Sequence, residues 1–227
     1  MGSALTSVEV VIPSFNGRRL LEDCLPSLIA QVEPHHVWVV DNGSVDTTAD
    51  WLRSRWPGVH CLRNRRNEGF ARAVNQGICA SGGTWVALLN NDAIPAPDWL
   101  EHLVAVGLRP NDVGAIASRM MFQDAPERVS SCGIRIDPSG GAWDLWLGAT
   151  SWPNMGTHVF GASGGACLLR REMLEDIGLF DEGCFAYLED VDLAWRAQLR
   201  GWKAVLAPNA VVYHAMSATG GEGSAFK

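Results

Sequence analysis

The run WVALLNND, residues 85–92, decides how this chain folds. Trp85 to Leu89 form a short, uninterrupted apolar run suited to a strand buried on both faces, and it stops abruptly on the side-chain oxygens of Asn90, Asn91 and Asp92. The same grammar recurs on the N-terminal side. Val8 to Ile12 is a β-branched run closed by Pro13, and His36 to Val40 is closed by Asp41-Asn42-Gly43. Helical spacing fills the intervals: Leu20, Leu21, Cys24, Leu25, Leu28 and Ile29 share one face, with Pro26 expected to kink or split that helix. A helix opening at Asp46, a short strand at Val59 to Leu62 and a helix from Gly69 to Ala80 lead into the opening run. Strand alternating with helix predicts an α/β fold. Its sheet should be mostly parallel and doubly wound, with ligand-binding loops at the strands' C-terminal ends.

After about Asn111 the rhythm changes to shorter strand-like pieces, the glycine pairs Gly140-Gly141 and Gly164-Gly165, and several tryptophans. A helix from Leu188 to Leu199 and a strand from Ala210 to His214 restore the regular pattern before a polar, glycine-rich tail, Ser217 to Ser224. There is no internal repeat.

Composition narrows the class. With 227 residues, 47% hydrophobic and 19% charged, the chain is an ordinary globular protein able to bury roughly 70–75% of its unfolded surface. A net charge of -7, with only the short basic patch Arg63, Arg65 and Arg66, argues against a nucleic-acid partner. Small anionic ligands stay compatible, because local arginines and helix N-termini bind them whatever the net charge. Cys24, Cys61, Cys79, Cys132, Cys167 and Cys184 have no paired C-x-x-C spacing, so reduced thiols are expected rather than a zinc site or a disulfide framework. Met1 to Ser7 lacks a charged segment followed by an apolar stretch, and no window is long and apolar enough for a membrane span; the expected compartment is cytoplasmic.

Three polar clusters stand at predicted strand ends or helix starts, and each has a purely local reading. Asp41-Asn42-Gly43-Ser44 with Asp46 is good turn chemistry followed by a helix N-cap. Asn90-Asn91-Asp92 is either a turn, with Pro95 and Pro97 marking a helix start, or a metal-competent oxygen set. Glu189, Asp190 and Asp192 occupy the first turn of an amphipathic helix, where the helix dipole favours carboxylates. His214 reads more readily as a packed core or surface residue than as a ligand, and Gly69 more readily as helix-entry geometry than as close ligand approach.

Six stretches in order resemble family 2 glycosyltransferases of the GT-A fold: VVIPSFNG (10–17), VVDNGSVDTT (39–48), NEGFARAVNQG (67–77), WVALLNNDAIPAPDWL (85–100), GASGGACLLRREMLEDIGLFDE (161–182) and YLEDVDLAWR (187–196). The likeness runs from residue 8 to about 216, and is particularly similar to the bacterial subgroup containing rhamnosyltransferases. It implies one GT-A domain over residues 1–227, with a mixed central sheet flanked by helices. Within it, a Rossmann-like nucleotide-binding half covers about 8–110, an acceptor-binding half about 111–216, and a tail 217–227. The implied reaction moves a sugar from a nucleotide-diphosphate sugar to a hydroxyl of a glycan or lipid-linked acceptor, with peripheral contact at the inner face of the membrane. Oligomeric state is not specified by the sequence.

The resemblance also distributes roles. Pro13, Ser14, Asn16 and Asp41 would line the base and ribose pocket, with Gly69 and Asn75 in the next nucleotide-side motif. Asn90, Asn91 and Asp92 stand at the DxD-type motif, Asp92 holding a divalent metal (Mg²⁺ or Mn²⁺) and the diphosphate, and His214 matches a second metal ligand. Gly164 and Gly165 would line the donor and acceptor pocket; Glu189 and Asp190 match the acceptor-side pair whose aspartate is the general base. These roles make physical sense. A cation can stabilise the departing diphosphate, and a carboxylate must take the acceptor's proton, so that one in-line displacement inverts the anomeric centre.

Two departures bear on the donor. Asn90 replaces the first carboxylate of a strict DxD, and Val74 stands where many relatives carry arginine, with Arg72 on another side of the helix. Both steer the expectation from UDP towards dTDP-rhamnose. Relatives continue beyond His214 into further helices, so a longer form of this chain is expected. Acceptor recognition is expected in residues 120–160, where Trp143, Trp146 and Trp152 can stack on sugar faces or simply pack. Two rivals stay open. A sugar nucleotidyltransferase needs a glycine-, arginine- and lysine-containing loop where this chain has Pro13-Ser14-Phe15-Asn16-Gly17, and a non-catalytic nucleotide-binding domain would have little use for Glu189-Asp190.

Overall fold

The computed structural model describes residues 8–108, 112–151 and 158–215. The first half runs β1 (Val8–Ser14), α1 (Arg18–Ile29), β2 (Val37–Asp41), α2 (Thr48–Arg55), β3 (His60–Arg63), α3 (Phe70–Ala80), β4 (Trp85–Leu89), β5 (Ala93–Pro95) and α4 (Trp99–Gly107). The second half runs β6 (Val113–Phe122), β7 (Val129–Ser131), β8 (Ile134–Ile136), β9 (Ala142–Asp144), β10 (His158–Val159), β11 (Ala166–Arg170), α5 (Arg171–Ile177), α6 (Glu189–Leu199) and β12 (Lys203–His214).

The main sheet has the order β10-β12-β6-β11-β4-β1-β2-β3, with β5 added to β12 and β7 to β6. Only part of it is parallel. β4, β1, β2 and β3 form a parallel block, whereas β11 runs antiparallel to both β4 and β6. The mostly parallel sheet predicted from strand–helix alternation is corrected here to a mixed one. The alternation breaks after β6, and the chain re-enters the sheet from the opposite direction through the Gly164-Gly165 segment. An α/β fold with a mixed central sheet flanked by helices is as the resemblance implies.

Both faces of the sheet are apolar, as the uninterrupted strand runs require. Val8, Val10 and Ile12 of β1 pack with Leu21, Leu25 and Leu28 of α1 and Leu103 of α4, while Val11 turns to the opposite core with Val74 and Ile78 of α3. Pro26 does not split α1. The carbonyl it leaves without a donor, that of Glu22, belongs to an exposed residue that water can reach. β1 also continues through Pro13, beyond the end of its ladder with β4 at Val11↔Leu88. Asp46 is not itself the N-cap of α2, a position held by Thr47 in a left-handed conformation. Its carboxylate accepts the Thr48 N–H at 3.2 Å and the Arg18 N–H at 3.0 Å, tying the starts of α1 and α2 together above the ends of β1 and β2.

Gly77 in α3 lets that helix approach β1: an added Cβ would lie 2.4 Å from Val11 Cγ1. Gly77→Ala gains about 1 kcal/mol of helix propensity, but overpacking a fixed β-branched neighbour costs about 1–3 kcal/mol. Overpacking is expected to win. Denaturant unfolding should show a net destabilisation, and an unchanged or raised midpoint would show that α3 is free to move off the sheet.

Candidate functional site

A cleft of about 490 Å³ opens where β1 and β4 end, bounded on its far side by the β8–β9 hairpin and the segment entering α6. Pro13, Ser14, Asn90, Asn91 and Asp92 reach it from the parallel block, and Gly164, Gly165, Glu189, Asp190 and His214 from the second half.

One long-range approach of polar side chains in the cleft comes from a strand too short to show in the sequence. β5 pairs antiparallel with the end of β12 in the register Ala93↔His214, and the Ala215 N–H donates to the Asp92 carbonyl at 3.0 Å. This carries His214 Nε2 to 3.1 Å from Asp92 Oδ1, with both side chains almost wholly buried. Neither ring nitrogen of His214 finds a hydrogen-bond partner among the described residues. Two adjacent ligands of an octahedral Mg²⁺, each at about 2.1 Å, are about 3 Å apart, so the separation suits a shared divalent cation. The remaining positions would face the cleft. Among the described residues no group of three or more His, Cys, Asp or Glu is clustered to hold a metal.

At the ends of β1 and β4 Asn91 is fixed by donating to Ser14 Oγ at 3.0 Å, and Gly17 makes this feasible, since a Cβ there would lie 2.0 Å from Asn91 Nδ2. Asn42, which lines the cleft and is nearly buried, is the hub of the loop after β3. Its amide donates to Asn67 Oδ1 at 2.9 Å and the Gly69 carbonyl at 3.0 Å, and its Oδ1 accepts from Asn64 and the Glu68 N–H. Asp41 is fully buried beside this hub. Its Oδ1 accepts the Ser44 N–H at 2.9 Å, and its Oδ2 has no hydrogen bond, with Arg63 Nε at 3.5 Å.

Four candidate positions are not brought to the cleft wall: the fully buried Asp41 and three others. Asn16 has φ 49° and spends its side chain on the Val45 N–H, holding the β1–α1 loop. Gly69 has φ +90° and a Cβ there would meet the Phe185 carbonyl at 2.7 Å, so its glycine admits protein backbone. Asn75 is more clearly displaced: its amide donates to the Phe180 carbonyl at 2.8 Å and its oxygen accepts the Phe180 N–H at 3.1 Å. That side chain clamps the chain after α5. Val74 is fully buried in the core, and Arg72 pairs loosely with Glu68 and Glu182.

At the start of α6 Asp190 Oδ2 accepts the Gly164 N–H at 2.9 Å, linking α6 to the segment before β11. Burial pushes the Asp190 carboxyl above the usual carboxylate range; the Gly164 N–H opposes this and the Asp144 carboxylate adds to it. Glu189 is 6% exposed, and burial followed by the charge of Asp190 pushes it up to about 7. Its Oε2 is buried without a partner. A Cβ on Gly164 would meet nothing closer than 3.5 Å, so the protein itself leaves that space open. The cleft also gathers Phe15, Phe70, Ser131 and Asp144, which sequence reasoning did not single out. Asp144 ends a three-residue strand, a length that gives no periodic signal. Of the candidate aromatics, Trp143 lines the cleft, Trp146 packs on the core, and Trp152 lies outside the described residues, as do the tail and residues 109–111.

The description Glycosyl transferase family 2 matches residues 9–178. The chain belongs to that family. N-acetylglucosaminyl-diphospho-decaprenol L-rhamnosyltransferase of Mycobacterium tuberculosis is 32% identical over 233 residues, covering 90% of this chain and 75% of that protein. The O-antigen biosynthesis protein RfbC of Myxococcus xanthus is 28% identical over 225 residues, and the match spans 93% of this chain but 17% of RfbC. A relative from Sinorhizobium fredii is matched over 25% of its length. A mannosyltransferase from Pyrobaculum calidifontis, solved with GDP-Man and Mn²⁺, superposes with a TM-score of 0.69 at 24% identity, covering 94% of this chain and 58% of that one. GalNAc-T7, solved with UDP, GalNAc and Mn²⁺, gives 0.75 at 18% identity, covering 92% and 43%. At these identities the likeness establishes the fold, which is GT-A. Among the described residues of this family 2 domain, no helix is long and apolar enough to cross a membrane.

Folding raises the Glu189 pKa from 4.5 to about 7, so the folded domain holds this proton more tightly than the unfolded chain. The associated stability is present at low pH and lost as pH rises through that window. The thermal midpoint is therefore expected to fall between roughly pH 5 and 7, and Glu189→Gln to shrink that fall. An identical decline in the variant would assign it to other groups.

Proposed function

We propose that this domain is a metal-dependent, inverting glycosyltransferase that moves a sugar from a nucleotide-diphosphate sugar to an acceptor hydroxyl, with Asp190 as general base. The observation that carries the proposal is the convergence on one cleft of the Asp92–His214 pair and the Gly164-anchored Asp190. Ser14, Asn91 and Asn42 would receive the nucleotide side, with Pro13 against the base and Asp41 behind it. Asn90 and Asn91 would donate to diphosphate oxygens, and Asp92 and His214 would hold the divalent cation. When bound, Mg²⁺ or Mn²⁺ supplies Lewis-acid neutralisation of the diphosphate.

Asp190 gives one oxygen to the Gly164 N–H, which leaves the other to accept the proton of the attacking hydroxyl. Burial, which raises its pKa, makes it a stronger base than a solvated aspartate. Attack in line with departure of the diphosphate would invert the anomeric centre in one displacement, with no covalent nucleophile needed. Gly164 and Gly165 keep the path between the two substrates open, and Glu189, largely neutral below pH 7, can donate to an acceptor oxygen.

The M. tuberculosis relative supports a rhamnosyl donor, for which dTDP-rhamnose is our candidate, and a lipid-linked acceptor, because its name specifies an L-rhamnosyl group and a diphospho-decaprenol. The buried Val74, in place of a nucleotide-contacting arginine, points away from UDP. A lipid-linked acceptor would bring the domain to the cytoplasmic face of a membrane.

Asp190→Asn is expected to lower transfer by about 10²–10⁴-fold, the range for loss of a general base, while thermal stabilisation by nucleotide sugar with Mn²⁺ persists. Undiminished transfer by a folded variant would remove Asp190 from the chemistry. Absence of stabilisation by any nucleotide sugar would remove the donor site.

A further inference from the structure

We infer that Asp144 and Trp143, on the β8–β9 hairpin, form a pyranose-binding subsite that sets the sugar specificity of the cleft. The inference rests on reading the cleft as a glycosyl-transfer site and adds the residues that would choose the sugar. Both residues line the cleft that Asp92 also lines. Asp144 shares the cleft lining with His214 and with Asp190, the two ends of the proposed reaction path. A sugar lying between those ends passes it.

The chemistry of the pair suits a sugar ring. Among the described residues no lysine or arginine forms an ion pair with Asp144, whose carboxyl is engaged by the Ser131 side chain. Its remaining lone pairs can accept from neighbouring sugar hydroxyls, as a carboxylate can take several donors at once. Trp143 is 49% exposed, and its indole offers the flat apolar surface on which the C–H face of a pyranose stacks. Gly141 leaves the ring its place, since a Cβ there would lie 2.6 Å from Trp143 Cη2, and the Arg135 guanidinium sits 6.0 Å from the ring centroid.

The hairpin is also held firmly enough to discriminate. The Ile134 N–H donates to the Gly161 carbonyl at 2.8 Å and the Phe160 N–H returns a bond to Ile134 at 3.0 Å, docking β8 onto the segment that leads to Gly164. The Leu145 N–H donates to the Gly133 carbonyl at 2.7 Å just beyond Asp144, closing the other end. Recognition groups on braced strands keep their geometry better than groups on free loops.

The test uses Asp144→Asn, Asp144→Ala, Trp143→Ala and Trp143→Phe in the complete protein, with three readouts: KM for the nucleotide sugar, KM for the acceptor, and affinity for the free nucleoside diphosphate with Mn²⁺. Asp144→Ala and Trp143→Ala are expected to raise one KM by about tenfold or more with kcat changed only a few-fold, the signature of lost binding common to ground and transition states. Trp143→Phe should recover most of the loss, and the diphosphate affinity and thermal midpoints should match wild type. A rise in the nucleotide-sugar KM assigns the ring to the donor, and a rise in the acceptor KM assigns it to the acceptor; either supports the subsite. Unchanged KM values in an active enzyme, or a diphosphate affinity that falls in step, would overturn it while leaving the transferase reading intact. A wild-type protein that transfers no sugar would overturn both.

Discussion

The chemistry of this cleft depends on the pairing of β5 with the end of β12. Asp92 and His214 are remote in sequence, and the register Ala93↔His214 brings Nε2 of one to 3.1 Å from Oδ1 of the other. Burying an imidazole whose two nitrogens find no hydrogen-bond partner among the described residues costs about 1–3 kcal/mol per unsatisfied group. A fold that keeps such a pair at a cleft wall is organised for something that enters the cleft. The parallel block completes the arrangement: β1, β2 and β4 all end at the same level, so Ser14, Asn42 and Asn91 meet there, and the amide network around Asn42 holds the loop after β3 against them.

The opposite wall is governed by a competition between burial and the helix N-terminus. Glu189 and Asp190 begin α6, where the helix dipole contributes about 0.3–1 kcal/mol in favour of a carboxylate. Desolvation acts the other way and is larger. A pKa pushed from 4.5 to about 7 corresponds to about 3 kcal/mol against the charged form of Glu189. Burial therefore wins: Glu189 holds its proton more tightly than a solvated glutamate, and the Asp190 carboxyl beside it is raised in the same direction. The Gly164 N–H fixes one oxygen of Asp190.

The sequence made the strands of the parallel block plain. Trp85 to Leu89 was legible to the residue as β4, because a strand buried on both faces has no polar positions to blur its ends. The direction of β11 was not legible, since an apolar run reads the same in a parallel or an antiparallel ladder. β5 was hidden for a different reason. Ala93-Ile94-Pro95 is too short for periodicity and was read as turn punctuation before a helix, so nothing local could show that it carries His214 to Asp92. Asn75 illustrates the converse error. Its family motif placed it beside the nucleotide, but both ends of its amide are consumed by the Phe180 backbone, a contact no local pattern reveals. Asp144 escaped notice because a lone carboxylate in a short irregular segment has no spacing to distinguish it from a solvated surface residue.

The most direct test of the account is the anomalous diffraction of Mn²⁺ in crystals grown with a nucleoside diphosphate. The account predicts a peak about 2.0–2.3 Å from both the Asp92 carboxylate and His214 Nε2, with diphosphate oxygens completing the coordination. A peak elsewhere in the cleft, with the Asp92–His214 pair undisturbed at its present separation, would contradict it.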